Sequence, residues 1–597
     1  MGERRRLWSD PRRAPAAPAG TLRQEGGAAD MTVWYESNLI LIQSTFIFLM
    51  LALSIQIPVR WGVLTFGGLG CFGVGAYTAA ILTIRTGLPQ FLILILAVLA
   101  GALVSLLIGL VCARLDGMYL AMATLAFDLI VGVVAINGGS LTGGVDGLYG
   151  VVADVSTATL ATLAGIGLAT AVYLQRGRLG RATTAVRDDP ELGVSLGINV
   201  RRYRHMAFTI SGALAACAGV MYVRVNTTIT PDNIQFGALV VAMTMVIVGG
   251  WKSSLGTLVG VIIFTWLPPH LGMFQTWQAV IYSALVLVAA VLVPTGAAGV
   301  ARAAASMIRD RRRRTGGTAA VAAGAVPEAP AAPRPAAEIQ RSLPDGGPVV
   351  EVQSLSVHFG GVKAVDDVSF TVQRGELFGI LGPNGSGKST LLAALTRFVD
   401  PVKGRIVFYG EDCTGIAQYA LGRRGIARTF QTVRLLEDLR VVENVLLGND
   451  RTGRGERSQP SARQKATRWH DALAALARVG LQGTELHYPS ELSYGQQRRV
   501  EIARAIVGTP DVLLLDEPVA GMNREERIEI AALLRSLKDD GLTLILVEHD
   551  VEMMVSICDR LLAMNFGQEI AHGAPADVLA HPAVREAYLG RRAAVDA

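Results

Sequence analysis

The chain has 597 residues, a formal net charge of +6, a mean hydropathy of +0.40 and only 17% charged residues. Soluble globular chains carry about 25% charged residues, so one water-soluble domain over the whole length is excluded. Cys71, Cys112, Cys217, Cys413 and Cys558 form no C-x-x-C pair, which excludes a disulfide framework and a cysteine zinc site and leaves reduced, structural thiols.

The chain opens on MGERRRLWSDPRRAPAAPAG, basic and rich in Ala and Pro. No apolar core follows these arginines directly, so the stretch does not read as a signal peptide. Residues 1–38 are read as a tail, with Met1 and Met31 both open as the start. Between Met31 and Val300 the only lysine is Lys252. A membrane-spanning helix needs about 20 mostly apolar residues. The candidates are 39–57, 62–84, 91–113, 118–136, 158–174, 206–225, 236–249, 257–267 and 277–293. The seventh and eighth are short and read as half-helices or one bent pair.

Seven arginines lie within 176–204, and a further arginine run occupies 309–314. Such runs beside apolar segments mark cytoplasmic flanks rather than nucleic-acid binding. Four candidate crossings separate the two runs, as parity requires. Five precede the first, which would put the basic tail outside. An inside tail requires the second candidate to be interrupted, and its Gly62, Gly67, Gly68, Gly70, Gly73 and Gly75 suit a break, for about 8–10 crossings in all.

Within the arginine-rich segment, Asp188 or Asp189 can cap a short helix that starts at Pro190, runs to Leu196 and ends at Gly197. The segment reads either as a plain basic loop or as a contact element for the soluble half. Asp128 lies inside an apolar run, where a carboxylate is expensive unless paired or wet. It either lines a pathway or sits near a helix end or carries a proton. Asp146, among glycines in LTGGVDGL, reads as part of an external turn or re-entrant segment.

Residues 301–348 combine the basic flank with TGGTAAVAAGAVPEAPAAPRPAAEIQRSLPDGGP, which cannot bury a core and reads as a tether. From residue 349 charges return. VVEVQSLSVHF alternates like a strand, LFGIL and VLLLD are buried-strand runs, and helical stretches lie between. The fold class is therefore a polytopic α-helical membrane domain over 39–300 fused to an α/β P-loop domain over 349–597.

LFGIL runs into GPNGSGKST and then LLAALTRF, the strand–loop–helix context that a P-loop requires. Gly382, Pro383, Asn384, Gly385, Ser386, Gly387, Lys388, Ser389 and Thr390 form the loop. Its glycines let backbone N–H groups face the phosphates of ATP. Lys388 supplies charge to the β- and γ-phosphates, and Ser389 offers a hydroxyl to Mg²⁺. VLLLDEP is an apolar strand that ends in two carboxylates. Asp516 suits Mg²⁺, directly or through water, and Glu517 suits a general base for the attacking water. A strand ending in Asp-Glu is often only a solvated end; its place after a P-loop argues otherwise.

LSYGQQRRVEIARA resembles the signature of ABC ATPases. It places a serine and a glycine at a helix N-terminus, another phosphate site. The resemblance implies that Ser493, Gly495 and Gln496 cap ATP held by a partner domain. It also implies that Gln431, in RTFQTVRL, contacts the γ-phosphate side, its metal and the permease. His549, in LILVEHD, falls at the switch histidine. Phe359, in VHFGG, falls where an aromatic stacks on adenine, although a strand Phe is more often core. Tyr494 replaces the usual signature glycine, and Asn523 stands where many families have Asp. Both variants, and HPAVREAYLG near the C-terminus, resemble ATP-binding subunits of branched-chain (hydrophobic) amino-acid uptake systems. RLDGMYLAMATLAFDLI, LTGGVDGL and VSLGINVRRYRHMAF resemble the permease subunits of the same family.

The resemblance implies a plasma-membrane, multi-pass importer half with a cytoplasmic ATPase domain. It implies ATP and Mg²⁺ as cofactors, and Glu517, His549 and Gln431 as catalytic residues, with metal held by Ser389, Gln431 and Asp516. It implies a second permease, a second ATPase, an extracytoplasmic solute-binding protein and membrane lipid as partners, and no nucleic acid. The segment at 187–204 would be the coupling helix. Urea or short amides are the alternative cargo; an exporter and a tethered regulatory ATPase are the remaining classes.

Overall fold

The computed structural model describes residues 32–152, 155–270, 284, 347–450 and 461–589. The tail at 1–31, most of the last candidate span at 277–293 and nearly all of the tether lie outside these residues.

The apolar half folds as α1 (Leu39–Arg60), α2 (Gly68–Arg85), α3 (Gln90–Val111), α4 (Gly117–Asn137), β1 (Leu148–Tyr149), α5 (Thr157–Leu174), α6 (Gly177–Asp188), α7 (Pro190–Ser195), α8 (Val200–Asn226), β2 (Thr228–Ile229), α9 (Phe236–Gly249) and α10 (Ser254–His270). Six of these, α1 to α5 and α8, are long and apolar enough to cross a membrane. At about 1.5 Å per residue, 20 residues cover the roughly 30 Å hydrocarbon core. The two short candidates are two separate helices, α9 and α10, packed backbone to backbone: a Cβ on Gly249 would meet the Gly256 carbonyl oxygen at 2.2 Å.

The second candidate, 62–84, opens in non-helical backbone at 61–67 and is a continuous helix, α2, from Gly68. Its glycines serve close packing: a Cβ on Gly75 would fall 2.4 Å from the Ala216 Cα of α8. Among the described residues, five helices long and apolar enough to cross a membrane precede Arg176. Trp34 stacks on Trp266 of α10 at 6.0 Å, at the end of the bundle away from the α/β half.

α8 is the central helix. Gly212 lies against Ser105 and Gly219 against the Phe72 carbonyl, with Cβ positions that would come within 2.3 Å and 2.1 Å. Ser105 Oγ donates to Phe208 O and Ser211 Oγ to Ser54 O, both at 2.7 Å. Lipid offers no apolar driving force between helices, so close backbone approach and a few such bonds hold the bundle. Asp128 is only 4% exposed, and its Oδ1 accepts the Gly70 N–H at 2.7 Å. Thr124 Oγ1, one turn earlier on α4, accepts the Phe66 N–H at 3.0 Å. These two side chains satisfy donors at the start of α2 that no helix bond reaches. Asp146 is exposed in the turn ahead of β1, which pairs with β2.

The α/β half holds two sheets. β3 (Val350–Phe359), β4 (Val362–Val372), β6 (Lys403–Phe408) and β7 (Glu411–Asp412) form an antiparallel sheet in the order β4-β3-β6-β7. β5 (Leu377–Leu381), β8 (Ile426–Arg428), β9 (Val512–Asp516), β10 (Thr543–Val547), β11 (Arg560–Asn565) and β12 (Gln568–Gly573) form the second, ordered β12-β11-β5-β10-β9-β8. Its strands are parallel except β12. Every residue of β5, β9 and β10 is buried, as continuous apolar runs of a covered parallel sheet require. Helices α11 (Lys388–Leu395), α12 (Val441–Asn449), α13 (Tyr494–Ile506) and α14 (Arg524–Asp539) carry the remaining motifs. All five cysteines are buried and unbridged.

Candidate nucleotide-binding site

The loop 382–387 joins the carboxyl end of β5 to the N-terminus of α11, which no side chain caps. Uncapped N–H groups at a helix start attract anions. Gly387 has φ +99°, and a Cβ there would lie 2.2 Å from the Ala364 carbonyl oxygen, so only glycine fits. Lys388, the first helical residue, is 5% exposed and donates to the carbonyls of Gly382 (2.8 Å) and Pro383 (3.0 Å). Burial lowers its ammonium pKa, while Glu517 and Asp516 oppose the shift. The Ser386 hydroxyl is buried with no hydrogen-bond partner, whereas Ser389 is exposed at the surface of the loop.

Asp516 closes β9 beside this loop. One carboxylate oxygen takes Arg428 Nη2 at 3.3 Å; the other, Oδ1, is buried without a partner. Burial pushes the Asp516 carboxyl above its usual range against the pull of Arg428. An anionic oxygen held dry and unpaired is costly, so this position fits a cation ligand. Glu517 follows with φ +45°, a left-handed conformation that is strained for a non-glycine residue. Its N–H donates to Val547 O at 2.9 Å, and Gln431 Nε2 donates to its Oε2 at 3.0 Å. His549 Nδ1 lies 3.5 Å from Glu548, whose buried carboxylate accepts the Val519 N–H at 3.0 Å. Phe359, at the end of β3, is 52% exposed, so it is not a core phenylalanine.

One residue that the motif reading passed over organises the site. Arg498 of α13 is 1% exposed. It donates to the backbone carbonyls of Phe430, Gln431, Asp516, Glu517 and Pro518 and pairs with Glu501 at 2.6 Å. A guanidinium has five donors in a rigid fork, and here they tie the two segments that carry Gln431 and Glu517 to Glu501 of α13. An arginine next to the signature was the only signal in the sequence.

The signature residues stand apart from the loop of their own domain. Ser493 caps α13 by accepting the Gln496 N–H at 3.3 Å, and the Gln496 side chain accepts the Ser493 N–H at 3.0 Å. A Cβ on Gly495 would lie 2.7 Å from Glu526 Oε1, and Asn523 caps α14 by accepting the Glu526 N–H at 2.8 Å. Among the described residues no hydrogen bond joins Ser493, Gly495 or Gln496 to the 382–390 loop.

The same segment that carries Gln431 also receives the membrane half. Asp189 caps α7 by accepting the Leu192 N–H at 2.9 Å, with Pro190 at its first position. The helix ends one residue earlier than the sequence suggests, at Ser195. Leu192 and Leu196 bury against Phe430, Leu436, Leu439 and Leu447. Arg434 donates to Asp189 at 3.0 Å and Glu191 at 2.7 Å, and lies 4.2 Å over the Phe430 ring. Arg181 forms a bidentate pair with Asp450, Nε donating to Oδ2 at 3.0 Å and Nη2 to Oδ1 at 3.1 Å. Arg187 and Lys252 share Asp438 at 2.5 and 2.7 Å. Burial pushes the Asp438 carboxyl up, but these two cations hold it below the usual range.

Residues 38–293 match the family described as "Branched-chain amino acid transport system / permease component", residues 365–520 match "ABC transporter", and residues 568–594 match "Branched-chain amino acid ATP-binding cassette transporter". The chain is 36% identical over 256 residues to the high-affinity branched-chain amino acid transport ATP-binding protein BraF of Pseudomonas aeruginosa, covering 41% of this chain and 98% of that protein. The chain belongs to the branched-chain amino-acid ABC transporter family. It is 37% identical over 250 residues to LivG of Escherichia coli, described in the same terms, with 41% and 98% covered. It is also 39% identical over 245 residues to the phosphonates import ATP-binding protein PhnC of Bradyrhizobium diazoefficiens, with 40% and 88% covered.

In this transporter chain a multi-pass membrane domain and a soluble, nucleotide-binding ATPase cassette are one polypeptide. Gln431, Glu517, Asp516 and Lys388 come together around the loop; Ser493, Gly495 and Gln496 do not join them. The cassette partners of α6, α7 and Lys252 were missed, because Arg434, Asp438 and Asp450 are defined only by what docks on them.

Proposed function

We propose that the chain is one half of an ATP-driven importer of branched-chain or other hydrophobic amino acids, placed in the plasma membrane with the cassette in the cytoplasm. One observation carries the reading: a match to a branched-chain permease over 38–293 occurs in the same chain as a cassette whose Gln431 segment receives α7. The cassette alone does not fix the cargo, since similar cassettes are described for branched-chain amino acids and for phosphonates.

ATP lies along the loop, with its phosphates on the backbone donors of 384–390 and Lys388 shifted from its present carbonyl partners onto the β- and γ-phosphates. Phe359 stacks on the adenine. Ser389, Gln431 and the unpartnered Oδ1 of Asp516 are the residues that would hold Mg²⁺. That ion supplies charge neutralisation on the phosphates. Glu517 takes the proton of the attacking water, and His549 orients the γ-phosphate end. Ser493, Gly495 and Gln496 complete the site of a second cassette. Gln431 adjoins both Glu517 through its side chain and α7 through its neighbour Phe430, so closure of the cassettes pulls on the permease. A second permease, a second cassette and an extracytoplasmic solute-binding protein complete the machine.

The test is uptake of labelled leucine, isoleucine or valine by proteoliposomes that hold the chain and its companions, with urea and short amides as competitors. Glu517→Gln should stop uptake while nucleotide stays bound. Uptake at the normal rate in that variant would overturn the reading.

A further inference from the structure

Arg428 closes β8, next to β9, and its side chain is only 9% exposed. An arginine keeps its charge in a protein interior, so a buried one needs a carboxylate, an oxygen acceptor or an aromatic face. Arg428 has all three. Nη2 lies 3.3 Å from Asp516 Oδ2, Nη1 donates to Thr396 Oγ1 at 2.8 Å, and Nε is buried without a hydrogen-bond partner. The guanidinium carbon lies 5.3 Å from the centroid of the Phe398 ring and 5.2 Å from that of Phe430. These two rings meet edge to face at 6.0 Å. Thr396 is the C-cap of α11, the helix that starts at Lys388.

Both rings belong to the seat of α7. Phe430 and Phe398 pack in the cluster that buries Leu192 and Leu196. The Phe430 ring carries a second cation, Arg434, at 4.2 Å, which pairs with Asp189 and Glu191. From Asp516 to Glu191 the order is carboxylate, guanidinium, ring, guanidinium, carboxylate. Burial lowers the Arg428 pKa and Asp516 opposes that shift; Arg434 and then Glu191 of α7 act on the same charge.

Asp516 meets Arg428 with one oxygen and leaves Oδ1 buried without a partner. Arg428 and a divalent cation at Oδ1 would compete for one carboxylate charge, and at a dry site that competition is strong. A guanidinium held less firmly by its carboxylate gains from its ring contacts instead. We propose that Arg428 is a positioning residue that reports cation occupancy at Asp516 to the seat of α7 through the Phe398–Phe430 pair. This link rests on the metal-binding role proposed for Asp516 and runs beside that of Gln431. Arg428 touches neither nucleotide nor cargo; it acts through Asp516 on one side and Phe430 on the other.

The test is hydrogen–deuterium exchange over 190–198, read by mass spectrometry on the full chain with its companions in nanodiscs. A non-hydrolysable ATP analogue is kept saturating, first with EDTA and then with Mg²⁺. A parallel sample with Mn²⁺, followed by electron paramagnetic resonance, checks that wild type and variants are loaded alike. In wild type, Mg²⁺ should slow exchange over 190–198 about threefold, the size of one strengthened cation–ring contact. Arg428→Gln should abolish that response while nucleotide and metal still bind. Arg428→Lys keeps the charge without the planar stack, should abolish the response too, and decides alone if Arg428→Gln unfolds. An equal Mg²⁺ response in wild type and Arg428→Lys overturns the proposal, as does a wild type that binds the nucleotide and shows no response. A wild type that binds no nucleotide overturns the site reading first, and this link with it.

Discussion

In the cassette a buried arginine holds the working segments together, whereas in the membrane half bare glycine backbones do the corresponding work. Arg498 gathers five carbonyls from the segments of Gln431 and Glu517. Gly75, Gly212 and Gly219 instead let α2, α3 and α8 touch through their main chains. The contrast follows from the solvent. In water, burying apolar surface already drives association, and polar hubs then fix geometry. In lipid that drive is missing, so contact area between backbones and a few interhelical hydrogen bonds must serve.

The contrast can be broken or sharpened by substitution. The largest effect belongs to Glu517→Gln, which removes the general base and should cut ATP turnover by about 10²–10⁴-fold while leaving nucleotide affinity intact, read by phosphate release and by nucleotide titration. Next is Arg498→Ala. It removes the nearer partner of Glu501, leaving Arg504 at 3.5 Å, and strands five carbonyls in the interior, a loss of about 3–5 kcal/mol by the usual cost of halving a buried pair, seen as a lower cassette melting temperature. Gly219→Ala puts a methyl where the Phe72 carbonyl already stands and should cost about 1–3 kcal/mol as overpacking, visible as earlier unfolding of the membrane half in detergent. The smallest is Asp438→Ala, whose carboxylate is 40% exposed. A pair that open to water contributes below about 1 kcal/mol, so the uptake-to-turnover ratio should fall only slightly. If Gly219→Ala were silent while Asp438→Ala disabled the transporter, the assigned division between packed and solvated contacts would be wrong.

The sequence made the cassette far more legible than the membrane half, for a physical reason. β5, β9 and the loop between β5 and α11 are read by local rules: a buried run, a glycine loop, a helix start. Each was found with its bounds nearly correct, as was α7 from Asp189 and Pro190. The membrane half is encoded in pairings between distant helices. Glycine permits both a break and close packing: Gly62 and Gly67 lie in the non-helical 61–67, whereas Gly75 lies in α2 against Ala216 of α8, a division that no local pattern decides. Asp128 stayed open in the sequence because its partner, the Gly70 N–H, lies on another helix. Arg498 and Arg434 were invisible for the same reason. Their partners are backbone carbonyls and a docking helix, neither of which leaves a local pattern.

The central claim is that work done at Glu517 reaches the membrane helices through α7. Its most direct test is Leu192→Asp, which places a charge among Phe430, Leu436 and Leu447, with uptake and ATP turnover measured in the same proteoliposomes. The account predicts that turnover persists while uptake is lost. Uptake and turnover that stay in the wild-type ratio would contradict it.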